Sequence, residues 1–150
     1  MFNKKEFHKL KDKSILKISG RDKFSFIQRI ISNDVEILKK KTSIYSSILS
    51  PQGKFIVDFF LSVYDEILLL EINKDQKEEI IKKLEMYKLR SNVCIEEEKK
   101  ISIFLISNDS EDNLRKLKGK YLCFNDPRFK NLFKRVYIFE SFNNNYLEEY

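Results

Sequence analysis

The sequence predicts an α+β fold in which a mostly antiparallel sheet packs against helices. Several short runs alternate apolar and polar residues, which predicts strands, whereas fewer segments carry apolar residues at helical spacing. The connections between these segments are short, and Pro51-Gln52-Gly53 is a tight turn between two of the strands. Such connections leave little room for the crossovers that a parallel sheet requires.

In the first half of the chain we expect a strand, a helix and a hairpin. The segment 14–19 alternates apolar and polar residues and is followed by Gly20, which is typical of a strand end. Apolar residues recur at helical spacing over 23–31, and Asp22 is a suitable N-cap. The next expected elements are a short ambiguous segment at 35–38 and a hairpin of strands 43–49 and 54–64.

In the second half of the chain we expect strands before and after one longer helix. Over 75–89 the apolar residues fall on one helical face, with lysines and glutamates on the other. The charge run at 96–100 is interpreted as a solvated turn. The expected elements are strands at 67–72, 91–96 and 101–106, the helix at 75–89 with Ile80, Ile81, Leu84 and Tyr87 inward, a short helix near 110–118, and a final buried strand at 120–124.

Length and composition are those of a small globular protein. The 150 residues can form a single α+β unit over 1–140, or two small subdomains, followed by a loosely ordered polar tail at 141–150. The formal net charge is +6, but the basic residues are spread along the chain. We therefore expect no sequence-specific nucleic-acid binding.

Metal binding, export and membrane insertion are not predicted. The only histidine, His8, lies among lysines, and Cys94 and Cys123 lack metal-ligand spacing, so both thiols are expected to be free and buried. The chain has neither an apolar signal region at its start nor an apolar run of about 18 residues. The expected compartment is the cytoplasm.

One acid lies within the most apolar run of the chain. Because side chains alternate along a strand, Asp58 shares a face with Ile56 and Phe60. An ionised carboxylate there needs water, a cation or hydrogen-bond donors. The residues alone leave open whether Asp58 pairs with a lysine, faces solvent or contacts a ligand.

Four stretches, in order, resemble one family. They are "ISGRDKFSFIQRIISNDV" (18–35), "YSSILSPQGKFIVDFFL" (45–61), "YKLRSNVCIEE" (87–97) and "DPRFKNLFKRVY" (126–137). Together they resemble the opening half of YgfZ, the folate-binding relative of the glycine-cleavage T-protein, an aminomethyltransferase. Phe133 departs from the pattern, because a glycine is expected there.

The second half of that family has no counterpart in this sequence. Its Lys-Gly-Cys-Tyr-x-Gly-Gln-Glu motif is absent, and neither Cys94 nor Cys123 has the flanking residues. We therefore expect an N-terminal half only: a truncated product, a remnant, or one piece of a split protein whose partner is a C-terminal half polypeptide.

The resemblance implies a site for tetrahydrofolate or a related folate. Asp58 falls at the aspartate that faces the pterin in T-proteins, although the usual preceding acid is replaced by Val57. Tyr45 falls where a tyrosine lies against the folate, and Asn73 falls near an asparagine that contacts the pterin. Structural alternatives remain for these residues: an ion pair for Asp58, strand packing for Tyr45 and a helix N-cap for Asn73.

Other family positions are matched too. Arg90 and Arg128 are candidates to bind the glutamate tail of a folate, or else a neighbouring carboxylate. Gln28, Asn33 and Asp34 also match, but local hydrogen bonds that close the end of a helix are the favoured interpretation for Asn33 and Asp34.

The function that the resemblance implies is that of a folate-binding accessory protein. It links the chain to assembly or repair of iron–sulfur proteins, with iron–sulfur enzymes as partners, and thereby to tRNA modification. The alternatives are an aminomethyltransferase-like enzyme fragment and a small α+β RNA-binding domain. The Pro-Gln-Gly-Lys hairpin disfavours the enzyme, and the lack of a glycine-and-aromatic alternation in strand 54–64 disfavours the RNA-binding domain.

Overall fold

The structure, a computed structural model, describes residues 7–117, 119–129 and 132–140. The chain divides into two compact units. The central unit comprises residues 12–98, and the terminal unit comprises the described residues before and after it. Every pairing between strands in the described residues is antiparallel, which confirms the predicted fold class.

The elements follow one another along both units. The strands are β1 Phe7–Lys9, β2 Lys13–Ser19, β3 Ser43–Leu49, β4 Phe55–Tyr64, β5 Ile67–Asn73, β6 Cys94–Glu98, β7 Ile101–Ser107, β8 Tyr121–Asn125 and β9 Phe133–Phe139. The α-helices are α1 Lys23–Gln28, α2 Lys77–Lys88 and α3 Glu111–Leu114. Single 3-10 turns at Val35–Lys39, Lys74–Gln76, Asn108–Ser110 and Pro127–Phe129 connect some of them.

The central unit is a five-stranded sheet with two helices on one face. The strand order is β3-β4-β5-β2-β6. The apolar members of each strand, such as Leu16, Phe59 and Leu70, form one core with residues of α1 and α2. As predicted, Ile80 and Leu84 are the buried residues of α2, and burying each is worth about 1.5–3 kcal/mol.

The turn between β2 and α1 depends on Gly20. Its φ is +104°, and a Cβ built there would lie 2.3 Å from the backbone oxygen of Asn92. Only glycine combines this dihedral with so close an approach to another backbone segment. The predicted end of the first strand is confirmed for that reason.

Helix α1 ends at Gln28, earlier than the 23–31 predicted. Ile31 instead bridges to Ile48 of β3, and the Ser32 amide donates to the Ser47 carbonyl oxygen at 2.9 Å. The apolar residue at the end of the expected helix thus forms a short β-bridge to a strand instead of a helical turn. Helical spacing alone does not distinguish these two uses of an apolar residue.

Strand β6 extends into the charge run that was interpreted as a turn. Glu96, Glu97 and Glu98 belong to the strand. The Lys17 Nζ lies 3.2 Å from Glu96 and the Lys77 Nζ lies 2.9 Å from Glu97. Acidic side chains are tolerated here because β6 is at the edge of the sheet, where charge also discourages pairing with another chain.

The terminal unit is a four-stranded sheet with the order β1-β7-β9-β8. Its core contains Phe104, Ile106, Leu114, Val136 and Ile138. The prediction of 120–124 as the final buried strand was wrong on two points. Only Phe124 of β8 is buried, and β9 follows it.

Two strands and the length of a second helix were also not predicted correctly. The strand β9 was missed because Val136, Tyr137 and Ile138 are consecutive and all buried, so the strand shows no alternation. The three-residue strand β1 lies in a lysine-rich stretch, and α3 is shorter than the helix expected near 110–118. Residue 118 and the predicted tail at 141–150 lie outside the described residues.

Both cysteines are free, as expected, but neither is buried. Cys94 is exposed on the edge strand β6, and Cys123 is partly buried. His8 is exposed, in agreement with its polar surroundings. In the part of the chain that the structure describes, no helix is long and apolar enough to cross a membrane.

Candidate functional site

Three of the four predicted site residues lie on one face of the central sheet. This is the face opposite the helices, because Val57, Phe59 and their neighbours in register fill the helix-covered core. Tyr45 is on β3, Asp58 on β4 and Asn73 on β5, which are adjacent strands. We call this surface the open face because no described helix of the central unit covers it; it also carries Phe60 and Glu71, which are both buried.

Tyr45 and Asp58 contact each other across the hairpin. Tyr45 pairs with Phe60 and Ser47 pairs with Asp58, so Tyr45 is the diagonal neighbour of Asp58. The Tyr45 hydroxyl donates a hydrogen bond to the Asp58 Oδ2. No ion pair with Asp58 exists among the described residues. The predicted alternative, pairing of Asp58 with a lysine, is therefore not what the structure shows.

An aromatic surface adjoins this carboxylate. The Tyr45 and Phe60 rings are 5.0 Å apart between centroids and tilted by 45°. Asp58 and Tyr45 are both partly buried, whereas Phe60 is buried. The carboxylate is thus held by a neutral donor, in partly desolvated surroundings, beside two rings.

Asn73 supplies an oriented amide at the end of β5. The Lys13 Nζ donates to the Asn73 Oδ1, and the Asn73 Nδ2 donates to the Gln76 Oε1 at 3.2 Å. Asn73 occupies the N-cap position of the following 3-10 turn but forms no capping hydrogen bond with its side chain. Its side chain is therefore fixed by Lys13 and Gln76 rather than used as a cap.

Sequence reasoning missed Glu71. This residue is 3% exposed and lies directly opposite Phe60 on one side and Ile15 on the other. Its signal was the one that singled out Asp58, an acid within an apolar run, here "ILLLEIN". The open face therefore holds a second carboxylate, one strand away from Asp58.

Arg90 is not brought to this face. It lies in the loop after α2, and α2 packs on the helix-covered side of the sheet. There it lines a cleft with Arg29 and Ser91. Its predicted contact with a folate has no support from its position.

Gln28, Asn33 and Asp34 organise the turn after α1. The Gln28 Oε1 accepts from the Val35 amide at 2.8 Å, and the Asp34 Oδ1 accepts from the Glu36 amide at 2.9 Å. The Asn33 Nδ2 donates to the Tyr45 backbone oxygen at 3.0 Å. The local hydrogen bonds expected of Asn33 and Asp34 are present, and Asn33 also fixes the backbone of a site residue.

Arg128 belongs to an ion cluster of the terminal unit. Its guanidinium donates to both oxygens of the buried Asp126, at 3.0 and 2.8 Å, and the Arg135 Nε donates to the Oδ2 at 3.1 Å. Burial acts to raise the pKa of Asp126, but the hydrogen bonds and charge of Arg128, with the charge of Arg135, outweigh it and hold that pKa below its usual value. Of the two roles predicted for Arg128, the neighbouring carboxylate is the one seen.

The open face can recognise a flat heterocycle that carries N–H donors. A carboxylate accepts such donors, an amide both donates and accepts, and aromatic rings provide a stacking surface. The donor set therefore suits a pterin chemically. The same carboxylate is also a group that can accept a proton, so the set suits ligand binding and is compatible with acid–base chemistry.

The chain matches no protein-family model. It is 27% identical over 90 residues to the iron-sulfur cluster assembly factor IBA57 homolog, mitochondrial, of Neurospora crassa, covering 55% of this chain and 20% of that protein. The homologue from Mycosarcoma maydis is 26% identical over 98 residues, covering 57% of this chain and 24% of that protein. The aligned part thus spans about a quarter or less of these relatives.

The fold is that of a known structure. The glycine cleavage system aminomethyltransferase T of Bartonella henselae superposes with a TM-score of 0.74 at 13% identity, covering 88% of this chain and 41% of that chain. At this identity the likeness shows the fold alone. The resemblance inferred from the sequence is confirmed: the chain has the fold of the glycine-cleavage T-protein and is similar to part of the IBA57-type iron–sulfur cluster assembly factors.

Proposed function

We propose that this chain is a folate-binding, YgfZ-like accessory protein for the assembly or repair of iron–sulfur proteins. The observation that carries the proposal is the Asp58 carboxylate, which the Tyr45 hydroxyl holds on the open face without a cation among the described residues. The sequence similarity to assembly factors supports the role in iron–sulfur proteins. A link to tRNA modification follows if the enzymes served include those that modify tRNA.

The residues that hold the folate are Asp58, Asn73 and the ring of Tyr45. Asp58 accepts hydrogen bonds from the N–H groups of the pterin, and its negative charge makes these bonds about twice as strong as neutral ones. Asn73 orients the heterocycle through its amide, which Lys13 and Gln76 already fix. When bound, tetrahydrofolate supplies a carrier for one-carbon groups.

A role without catalysis is preferred over an aminomethyltransferase. The curated relatives are named as assembly factors, whereas the structural neighbour is named as an aminomethyltransferase and shares only the fold. The preferred compartment remains the cytoplasm, although the curated relatives are named as mitochondrial. The proposed partners are iron–sulfur enzymes and a polypeptide that carries the second half of the family.

The binding step is tested by calorimetric titration of the full chain with tetrahydrofolate. We expect saturable binding, and a loss of about tenfold or more in affinity for Asp58→Asn, because a charge-assisted hydrogen bond is removed. Asp75→Asn is the matched control, since Asp75 is exposed at the start of the turn before α2 and is expected to change nothing.

The titration is repeated with the chain co-expressed with a polypeptide that bears the Lys-Gly-Cys-Tyr-x-Gly-Gln-Glu motif. Binding in either setting that depends on Asp58 supports the proposal. An absence of folate binding in both settings, or an affinity that Asp58→Asn leaves unchanged, contradicts it.

The role in iron–sulfur proteins requires a separate measurement in cells. Deleting the gene should lower the activity of iron–sulfur enzymes, and the wild-type gene should restore that activity while Asp58→Asn does not. Restoration by Asp58→Asn would separate this role from folate binding. Detection of aminomethyl transfer from the complete system would favour the enzyme instead.

A further inference from the structure

A second candidate site lies on the helix-covered side of the central unit. Here α1 and the loop after α2 enclose an open cleft of about 650 Å³. The residues that line it are Asp22, Ser25, Arg29, Leu89, Arg90 and Ser91. None of these residues belongs to the open face, so the cleft is independent of the proposed folate site.

Two guanidinium groups line this cleft, and neither is paired with the Asp22 carboxylate that also lines it. The Arg29 Nη2 donates to the Ser91 Oγ at 2.9 Å, which fixes the direction of that side chain. Neither Arg29 nor Arg90 forms an ion pair with any residue that the structure describes. Like charges that line one cleft repel each other, and a bound anion removes this repulsion.

The other polar groups are compatible with an anion. Ser91 accepts from Arg29, so its own hydroxyl hydrogen remains available for a ligand. The only acid in the cleft, Asp22, accepts from the Asn92 amide at 2.7 Å and lies 3.8 Å from the Arg21 Nε. Its carboxylate thus holds the loop after α2, and Arg21 is the cation nearest to it in an exposed pair.

An apolar residue lies at the margin of the cleft in a strained conformation. Leu89 has a φ of +50° although it is not a glycine, and it is 84% exposed. Met86, three residues earlier on α2, is 61% exposed. Strain of this kind persists where the surrounding structure imposes it and is frequent at ligand sites. A ligand with an apolar body could cover these side chains.

We propose that this cleft binds the phosphate group of a small molecule whose body is apolar. A phosphate monoester carries up to two negative charges, which match two guanidinium groups, and its oxygens accept from guanidinium and hydroxyl donors together. A carboxylate has a single charge and two oxygens, so it satisfies this donor set less completely. Leu89 contacts the body of the ligand.

The probes are phenyl phosphate, inorganic phosphate and benzoate, titrated into the full chain at constant ionic strength set with sodium chloride. Backbone amide NMR shifts of Ser91 and Asn92 are the readout. We expect saturable shifts with phenyl phosphate, weaker binding of inorganic phosphate because it lacks the apolar body, and weaker binding of benzoate because it lacks the phosphate.

Arg90→Gln is the main variant, because Arg90 is exposed and its side chain forms no hydrogen bond or ion pair with the described residues, so its removal should leave the melting temperature unchanged. It should weaken phenyl phosphate binding by about tenfold or more. Arg115→Gln is the control for loss of one positive charge, since Arg115 is an exposed residue of the terminal unit. Asp58→Asn should also leave phosphate binding unchanged, which separates this site from the proposed folate site.

Several outcomes overturn the assignment. Shifts that follow ionic strength only, or an Arg90→Gln affinity equal to that of the wild type, remove the site. Benzoate binding as tightly as phenyl phosphate means that the cleft takes carboxylates instead. If a short single-stranded oligonucleotide binds more tightly than phenyl phosphate, and Arg90→Gln weakens that binding, the ligand of the cleft is a nucleic-acid backbone and not a small molecule.

Discussion

Two carboxylates that are partly or fully buried have different hydrogen-bond partners in the two units. In the terminal unit, Asp126 is fully buried and two arginines donate to its oxygens. In the central unit, Asp58 is partly buried and accepts from the neutral hydroxyl of Tyr45. The first carboxylate is paired with two cations within the fold, whereas the second has no cation as a partner among the described residues.

This difference separates a structural acid from a candidate binding acid. A buried charge that is fully paired is required for stability, because removal of one member leaves the others desolvated without it. A carboxylate held only by a neutral donor adds less to stability and can still accept strong hydrogen bonds from a ligand. We therefore expect Asp126 to affect folding and Asp58 to affect binding.

The largest effect is expected for Asp126→Asn. The substitution removes the charge that Arg128 and the nearly buried Arg135 share, and should lower the free energy of unfolding by about 3–5 kcal/mol. Chemical denaturation measures this loss. Asp112→Asn is the control, because Asp112 is 90% exposed and lies 3.9 Å from Arg115, and it should change stability by less than about 0.5 kcal/mol. Similar losses for the two variants would mean that Asp126 is not the centre of the cluster.

The same cluster predicts a loss of stability in acid. Because the pKa of Asp126 is lowered in the folded state, its contribution is complete above the ordinary value of 3.8 and is lost as pH falls through the lower, folded value. The free energy of unfolding should therefore decline more steeply for the wild type than for Asp126→Asn between about pH 5 and about pH 2. Parallel pH profiles would contradict the prediction.

A smaller effect is expected for Tyr45→Phe. The variant keeps the ring against Phe60 but removes the hydrogen bond to Asp58, so the free energy of unfolding should fall by about 0.5–1.5 kcal/mol. Tyr87→Phe is the control, because Tyr87 packs against the core of the central unit and its hydroxyl has no hydrogen bond among the described residues. A loss as large as that of Asp126→Asn would remove the contrast between the two carboxylates.

The smallest effect is expected at the ion pair between Lys77 and Glu97. The hydrogen bond from Lys77 to Glu97 raises the pKa of the lysine, so its contribution is complete below the ordinary value of 10.5 and is lost as pH rises through the higher, folded value. Lys77→Met should flatten the alkaline end of the stability profile. It should cost less stability than Tyr45→Phe, because solvent screens a pair that is partly exposed.

The hairpin and its face could be predicted because strand periodicity is local. Alternation over 43–49 and 54–64 placed Asp58 beside Phe60 on one face, and the turn at Pro51–Gly53 fixed the direction of the return strand. The proximity of Asn73 came only from the resemblance, because the order of β4 and β5 within the sheet is not encoded in either strand alone.

The missed features depend on contacts between distant residues. Strand β9 is buried on both faces and shows no alternation, and Arg135, which it contributes to Asp126, could not be predicted without it. Arg90 was grouped with the folate residues by motif, yet the packing of α2 places it across the sheet from them. Glu71 shows the opposite case, since its local signal was present in "ILLLEIN" and was overlooked.

The most direct test of this contrast is the free energy of unfolding of Asp58→Asn with and without tetrahydrofolate, in whichever setting binds the wild type. Without folate, the variant should lie within about 0.5 kcal/mol of the wild type, because the amide keeps the shape of the side chain and no cation loses its partner. With folate at about 100 times the wild-type Kd, the wild type should gain about 2.7 kcal/mol and the variant less than about 1.5 kcal/mol. A large loss of stability without folate, together with an equal gain from folate in both proteins, would show that Asp58 is a structural acid like Asp126.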